Sequence, residues 1–145
     1  MSAKSSRKTI SQKTLTKVKK QQRTKIICVS HKEDADGISS AALIKQAFGG
    51  DSVLVDYPGM VDALELLRND KKLKKLFICD LGLNKQINDN FVELLTELRK
   101  KRVSVTYIDH HDIDSKVITK LKKIKVKLIH DISECTSVLV YDTFK

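Results

Sequence analysis

The most chemically distinctive stretch of the chain is VSVTYIDHHDID, residues 103–114. Its first half has the β-branched and aromatic residues of a buried strand. Its second half places two adjacent histidines among three carboxylates: His110 and His111 with Asp109, Asp112 and Asp114. Imidazole and carboxylate groups are the ligands of divalent metal sites, so the end of this strand is a candidate metal site.

All four histidines and several further carboxylates follow apolar, strand-like segments. They are His31, Asp34 and Asp36 after the first segment, Asp56 after the second, Asp80 after the third, His110 and His111 after the fourth, and His130 and Asp131 after the fifth. Taken singly, such residues are typical of N-caps and polar turns. Their joint occurrence at successive strand ends favours a shared site.

These residues are predicted to converge, because ligands of an open parallel sheet bind outside the carboxyl ends of its strands. Carboxylates packed together repel one another, and burying them is costly unless their charge is neutralised. Few lysines lie in these turns, so divalent cations are the expected partners, and the lack of thiolates favours Mn²⁺ or Mg²⁺ over structural zinc. Such a cluster can hold two ions about 4 Å apart, an arrangement that activates water against phosphorus.

The elements that would position these residues alternate along the chain. The predicted strands are KIICVS (25–30), SVLVDY (52–57), LFICDL (76–81), VSVTYID (103–109) and VKLIHDI (126–132). The predicted helices cover residues 37–48, 60–69, 84–101, 115–123 and 133–144, with Asn84 and Ser133 as N-caps. This alternation predicts an α/β fold, a three-layer, open, mainly parallel five-stranded sheet with helices on both faces.

The pattern of each strand also predicts its place in the sheet. The first strands are continuously apolar, which is typical of central parallel strands. In KIKVKLI, by contrast, Lys123, Lys125 and Lys127 alternate with apolar residues. The last strand is therefore predicted to lie at an edge, with one face toward water.

The positive charge of the chain is concentrated in its first residues. The formal net charge is +10, and residues 1–25 hold nine of the 28 Lys and Arg residues but no Asp or Glu. Residues 1–24 are therefore predicted to be a basic, disordered tail, which is either a solvated tail or a tether for nucleic-acid phosphates. Its basic residues are Lys4, Arg7, Lys8, Lys13, Lys17, Lys19, Lys20 and Arg23.

Composition excludes several other classes of protein. No apolar run approaches the roughly 20 residues of a membrane span, so no membrane partner is expected, and the first residues lack the apolar core of a secretory signal. Their composition also fits a mitochondrial transit peptide, the alternative to a cytoplasmic location. Cys28, Cys79 and Cys135 match no zinc spacing and are expected to be buried, reduced thiols of a cytoplasmic protein.

Four motifs resemble, in order, those of the DHH phosphoesterase family, which includes RecJ-like exonucleases, oligoribonucleases, cyclic-dinucleotide phosphodiesterases and manganese pyrophosphatases. They are SHKEDADGISSAAL, FICDLGLN, YIDHHDID and HDISECTSVLVYD, and the third is the most specific. The resemblance implies a phosphoesterase with two Mn²⁺ ions, or Mg²⁺, acting on phosphodiester bonds of nucleic acid or short oligonucleotides by two-metal hydrolysis.

The resemblance also implies a role for each residue of the site. His31, Asp34 and Asp80 would hold one metal, and Asp36, Asp80, His110 and Asp131 the other, with Asp80 shared. His111 would face the phosphate and stabilise its charge. Asp109 would orient a histidine, with capping of the strand end as the alternative. Gly37 would allow a close backbone approach where a helix begins.

Residues 25–145 are predicted to be the N-terminal catalytic domain of this family, without the C-terminal substrate-binding domain of its relatives. The chain would then be a fragment, a truncated paralogue, or one half of a site that a second chain completes. In the last case, the second chain would supply the missing substrate-binding domain.

Two other functions remain open. A non-catalytic or truncated module would bind nucleic acid through its basic tail. A response-regulator-like domain would bind one Mg²⁺ at its acidic strand ends. The paired histidines argue against that third interpretation, as does the absence of a lysine after the last strand, where His130 and Asp131 stand.

Overall fold

Strands and helices alternate along residues 24–145, the part of the chain that this computed structural model describes. The predicted tail and its eight basic residues lie outside the described residues, apart from Thr24. The elements are β1 (Lys25–His31), α1 (Ala35–Phe48), β2 (Asp51–Val55), α2 (Gly59–Arg68), β3 (Leu73–Cys79), α3 (Asn88–Lys100), β4 (Ser104–Asp109), α4 (Ser115–Lys123), β5 (Lys127–His130) and α5 (Thr136–Phe144).

The strands of residues 24–145 form one parallel sheet in the order β2–β1–β3–β4–β5. Helices α1 and α5 cover one face, where Ile44 and Val140 pack with Phe77. Helices α2, α3 and α4 cover the other face around a larger apolar core that includes Leu64 and Leu94. The predicted α/β fold, a three-layer parallel sheet with helices on both faces, is confirmed.

One edge strand of the sheet was predicted and the other was not. Strand β5 lies at an edge, as predicted, but only Lys127 of the three alternating lysines belongs to it. Lys123 ends α4, and Lys125 lies in the following turn with a φ of 64°. Strand β2 forms the other edge, so its predicted central position is wrong. It is partly exposed, with Leu54 42% accessible.

Two predicted N-caps are also corrected. Asn84 caps a separate turn, in which its Oδ1 accepts hydrogen bonds from the amides of Gln86 and Ile87, and α3 begins only at Asn88. Ser133 does not cap α5, which starts at Thr136. Asn84 and Ser133 therefore indicated that a helix follows, but neither residue is its N-cap.

The three cysteines have free thiols. Cys28 and Cys79 are buried on neighbouring strands, as predicted, whereas Cys135 is exposed beside the start of α5. Within residues 24–145, no helix combines the length and the apolar composition needed to cross a bilayer.

Candidate metal centre

The carboxyl-end edge of the sheet is closely packed where β1 meets α1. The buried Ser30 donates its hydroxyl to the carbonyl oxygen of Gly37 (2.7 Å) and lies 3.2 Å from that of Cys79. A Cβ atom at Gly37 would lie 2.1 Å from the carbonyl oxygen of His31. Only glycine fits at this position, so the predicted close approach of the backbone is confirmed. The contact holds the start of α1 against the end of β1.

Asp80 lies at the centre of this edge, directly after β3. Its side chain is 1% exposed, and its backbone adopts a left-handed φ of 56°. Its Oδ1 accepts a hydrogen bond from the Thr136 hydroxyl (3.3 Å), whereas Oδ2 is buried without a hydrogen-bond partner among the described residues. Burial, followed by the negative charges of Asp36 and Asp34, raises the pKa of Asp80 to about 8.

A first ligand group lies between β1 and α1. The Nδ1 atom of His31 is 3.1 Å from Oδ2 of Asp34 and 3.9 Å from Oδ2 of Asp80. Asp34 also caps α1, because its Oδ1 accepts the Gly37 amide at 2.8 Å. Burial raises the pKa of Asp34, but hydrogen bonds led by that amide outweigh this effect, and the pKa is lowered overall.

A second ligand group lies on the other side of Asp80, after β4. The Nε2 atom of His110 is 3.1 Å from Oδ1 of Asp80 and 3.6 Å from Oδ2 of Asp36. One ligand atom from each of Asp80, His110 and His111 lies within 4.8 Å of the others, as do those of His31, Asp34 and Asp80. Asp80 therefore belongs to both groups.

Asp36 borders the second group and has a structural contact of its own. Its two carboxylate oxygens accept the amides of Thr136 (3.0 Å) and Ser137 (2.7 Å), which are the first residues of α5. Burial raises its pKa, but these hydrogen bonds outweigh burial and lower the pKa overall. The carboxylate predicted to bind metal thus also caps the last helix.

The buried Asp109 orients His111. Its Oδ1 lies 2.8 Å from Nδ1 of His111, and its Oδ2 accepts the His111 amide at 3.2 Å. This contact engages Nδ1 of His111. The other ring nitrogen, Nε2, is then left for the site, where it is 3.2 Å from the Tyr57 hydroxyl.

Asp131 is not brought into either group. It is exposed, and its Oδ1 accepts hydrogen bonds from the Ser133 amide (2.9 Å) and hydroxyl (2.6 Å), which lower its pKa. The adjacent His130 contacts the carbonyl oxygen of His111 through Nε2. The role of Asp131 as a metal ligand therefore stays a prediction.

Two residues of the site were missed by the sequence analysis. Tyr57 lies between two histidines, with its ring 4.4 Å from that of His31 and its hydroxyl on His111. Thr136 donates to the buried Asp80. Tyr57 ends a predicted strand and Thr136 lies near the start of a predicted helix, and neither residue type suggests a metal site.

The residues present fit a divalent metal centre. Two buried polar atoms, Nε2 of His31 and Oδ2 of Asp80, lack a hydrogen-bond partner within the described chain. Such atoms are costly to bury unpaired. The donors are carboxylate oxygens and imidazole nitrogens without a thiolate, a set that suits Mn²⁺, with Mg²⁺ as the harder alternative.

Comparisons with known proteins agree with this fold. A family model described as "DHH family, N-terminal domain" matches residues 25–145. The chain is also similar to the crystal structure of an uncharacterized protein from Helicobacter pylori G27, with a TM-score of 0.63 and 19% identity over 83% of this chain and 36% of that one. At this identity the likeness concerns the fold, and this chain spans about a third of that protein. A comparison with curated proteins finds no match.

Proposed function

The chain belongs to the DHH family, and from that membership we propose that it is a divalent-metal-dependent phosphoesterase. Its substrates would be phosphodiester bonds of nucleic acid or short oligonucleotides, hydrolysed at two metal ions. The observation that carries the proposal is the sharing of one buried carboxylate, Asp80, between two ligand groups. A shared carboxylate is the expected centre of a site for two neighbouring ions.

The proposed ligands divide between the two sides of Asp80. His31 and Asp34 would hold one ion with Asp80, and Asp36 and His110 would hold the other. The unpartnered Oδ2 of Asp80 supports this assignment. When bound, the ions would supply positive charge that lowers the pKa of water and offsets the charge of phosphoryl oxygens.

The protein's own contribution would come from Asp109 and His111. Asp109 fixes the ring of His111 through its contact with Nδ1. A protonated Nε2 would donate a hydrogen bond to a non-bridging phosphate oxygen and stabilise the charge that develops there. The Tyr57 hydroxyl, 3.2 Å from this nitrogen, would share the contact with substrate and help to hold the His111 ring in place.

The first test is the stoichiometry of Mn²⁺ binding, measured by calorimetry on the purified chain. We expect two ions for the wild type and one or none for Asp80→Asn. Asp112→Asn is a matched control, because Asp112 is an exposed carboxylate of the same loop and belongs to neither ligand group. Two ions in Asp80→Asn would contradict the shared-carboxylate site.

The second test is hydrolysis of a dinucleotide and of single-stranded RNA with and without Mn²⁺. We expect metal-dependent cleavage that Asp80→Asn abolishes. Full hydrolysis of each substrate by Asp80→Asn in Mn²⁺ would rule the mechanism out.

A substrate-binding partner is part of this proposal. The matched family model describes an N-terminal domain, and the chain spans 36% of the similar protein from Helicobacter pylori. We expect a further domain or a second chain to complete the substrate cleft beside His110 and His111. Metal binding without hydrolysis would fit a site that lacks this second half.

The alternative is nucleic-acid binding without catalysis, through the basic residues 1–24. The nine Lys and Arg residues of 1–25, with no acidic residue among them, favour it. It predicts RNA or DNA affinity that falls steeply with salt and is lost when residues 1–24 are removed. Salt-independent binding would exclude it.

A further inference from the structure

The edge of the sheet opposite the metal centre carries a concentrated positive charge. Three segments that precede or begin β3, β4 and β5 form what we term the amino-end surface: residues 71–74, 100–102 and 122–127. Together they present ten Lys or Arg side chains, all exposed, and they contain no Asp or Glu. The turns at the carboxyl-end edge, by contrast, hold the acidic residues of the metal centre.

The three segments lie side by side because their strands are neighbours in the sheet. Lys75 of β3 pairs with Ser104 of β4, and Thr106 of β4 pairs with Lys127 of β5. Adjacent strands are about 4.8 Å apart, so the segments form a row of charges across the sheet edge. Parallel strands of six or seven residues separate this row from the metal centre by about 20 Å.

The acidic groups near this edge, Asp51, Asp70 and Glu97, form no ion pair with the amino-end surface among the described residues. Asp70 pairs with Lys25 at 2.6 Å, and Glu97 pairs with Arg68 at 3.5 Å. Among residues 24–145, no ion pair involves a side chain of the three segments. Lys101 donates to the carbonyl oxygen of Arg68, and the ammonium of Lys127 lies 5.5 Å from the centre of the Phe144 ring. The charge of the other eight side chains is available to an external anion.

Helix ends alone do not account for this charge. Lysines in the last turn of a helix complement its dipole, but residues 71–74 and Lys127 lie outside helices. Arg102 and Lys125 each have a φ of 64° just after a helix ends. Glycine is the usual residue at such positions, because other side chains strain the backbone there. Basic residues thus occupy positions that local conformation would assign to glycine.

We infer that the amino-end surface binds the phosphate backbone of nucleic acid, at a site separate from the metal centre. A linear row of lysines suits a polyphosphate chain, since lysine contacts phosphate as a point charge and reads no sequence. The basic residues 1–23 join the domain at this same edge, where the amide of Lys25 bonds to the carbonyl oxygen of Lys72 at 3.0 Å.

The test measures the affinity of the full chain for labelled single-stranded polyuridylate in EDTA over a range of salt concentrations. EDTA removes divalent cations, so neither turnover nor metal at the acidic edge affects the result. The variant combines Lys71→Gln, Lys100→Gln and Lys123→Gln, one change in each segment. The control combines Lys45→Gln, Lys85→Gln and Lys116→Gln, which removes the same net charge from exposed lysines elsewhere.

We expect the variant to bind about tenfold more weakly at low salt, with the slope of log affinity against log salt reduced by about 2, and the control to bind like wild type. Equal weakening of variant and control would mean that only net charge matters and would overturn the inference. The melting temperatures of both proteins in EDTA establish that they fold.

A second measurement needs no variant. Chemical labelling of lysines on the wild-type chain, with and without polyuridylate, should show protection in the three segments and none at Lys45 or Lys85. Protection confined to residues 1–23 would assign binding to the tail alone. Binding to phosphatidylserine–phosphatidylcholine vesicles without binding to RNA would replace nucleic acid with an anionic membrane and likewise overturn the inference.

Discussion

The carboxylate of Asp80 is held where its own charge is unfavourable. It is buried, lies near Asp34 and Asp36, and has one oxygen without a hydrogen-bond partner among the described residues. Its near neighbours among the described residues that can offset its charge are Thr136, His110 and, at 3.9 Å, His31. A buried acid of this kind is poorly solvated as an anion and well suited to a cation. Its ionisation should therefore affect the stability of the metal-free protein.

We expect the metal-free protein to lose stability as the pH rises from about 5 to about 8. Over this range the folded protein keeps a proton on Asp80, whose pKa is raised from 3.8 to about 8, whereas the unfolded chain has released it. The stabilisation is thus complete at low pH and is lost as the pH approaches the folded pKa, by up to about 1.4 kcal/mol per pH unit. Urea unfolding in EDTA at several pH values measures it.

Asp80→Asn separates this effect from other titrations. The amide cannot ionise, so we expect its unfolding free energy to vary little over the same range and to exceed that of wild type at about pH 8. Asp112→Asn should retain the wild-type slope. Because the pKa values of Asp34 and Asp36 are lowered, the ionisation of these groups changes the unfolding free energy only at more acidic pH, outside this window. A flat wild-type profile would contradict the prediction.

Tyr57 offers a second prediction at this scale, because its ring and its hydroxyl contact different histidines. Tyr57→Phe keeps the ring on His31 and removes the hydrogen bond to His111. We expect it to lower kcat by about tenfold, the effect of one hydrogen bond of about 1.4 kcal/mol, while Mn²⁺ affinity stays unchanged. Kinetics and calorimetry on the same preparation measure the two quantities.

The matched variant is Tyr57→Ala, which also removes the ring from His31. Here Mn²⁺ affinity should fall as well, because the His31 ring loses the aromatic neighbour that packs on it. Identical effects of the two substitutions on metal binding and turnover would show that the ring contributes nothing beyond the hydroxyl and would contradict the prediction.

At the scale of elements, Asp36 joins the first helix to the last. Its carboxylate accepts the first two amides of α5, a helix with no side-chain cap of its own. We expect Asp36→Ala to destabilise the metal-free protein by about 1 to 2 kcal/mol, the usual cost of losing an N-cap. Urea unfolding gives the magnitude, and hydrogen exchange should show faster exchange at the amides of Thr136 and Ser137.

Asp142→Ala is the control for this prediction. Asp142 is an exposed carboxylate of α5, and within residues 24–145 its ion pair is with Lys145, at 3.5 Å. Its removal should change stability by a few tenths of a kcal/mol, as is usual for exposed ion pairs. Equal losses in the two variants would contradict a capping role for Asp36.

The elements themselves were well predicted where local pattern determines them. The helix predicted at residues 115–123 has those bounds in the structure, and each predicted strand exists. The errors concern the first residues of helices and the order of strands in the sheet. The central position predicted for β2 failed because the order of strands depends on crossovers, to which an apolar run such as SVLVDY gives no guide.

At the scale of the whole molecule, parallel strands explain why much of the site could be anticipated. Every strand ends at the same edge, so acids and imidazoles after successive strands had to approach one another. Which of them meet depends on loop geometry, and the turn between Asp131 and Ser133 keeps Asp131 out of both ligand groups. Tyr57 was missed for the same reason, since its two contacts depend on the path of the β2–α2 loop.

The contact between Asp36 and α5 also determines when the metal centre can form during protein synthesis. Asp36 and its partners Thr136 and Ser137 are 100 and 101 residues apart in the chain. A nascent chain that has exposed β1, α1 and β3 already contains His31, Asp34 and Asp80, but it cannot hold Asp36 in place until α5 leaves the ribosome. Contacts of such long range form late in folding. If the proposed two-ion site forms, Asp36 can help to hold its second ion only after α5 has docked.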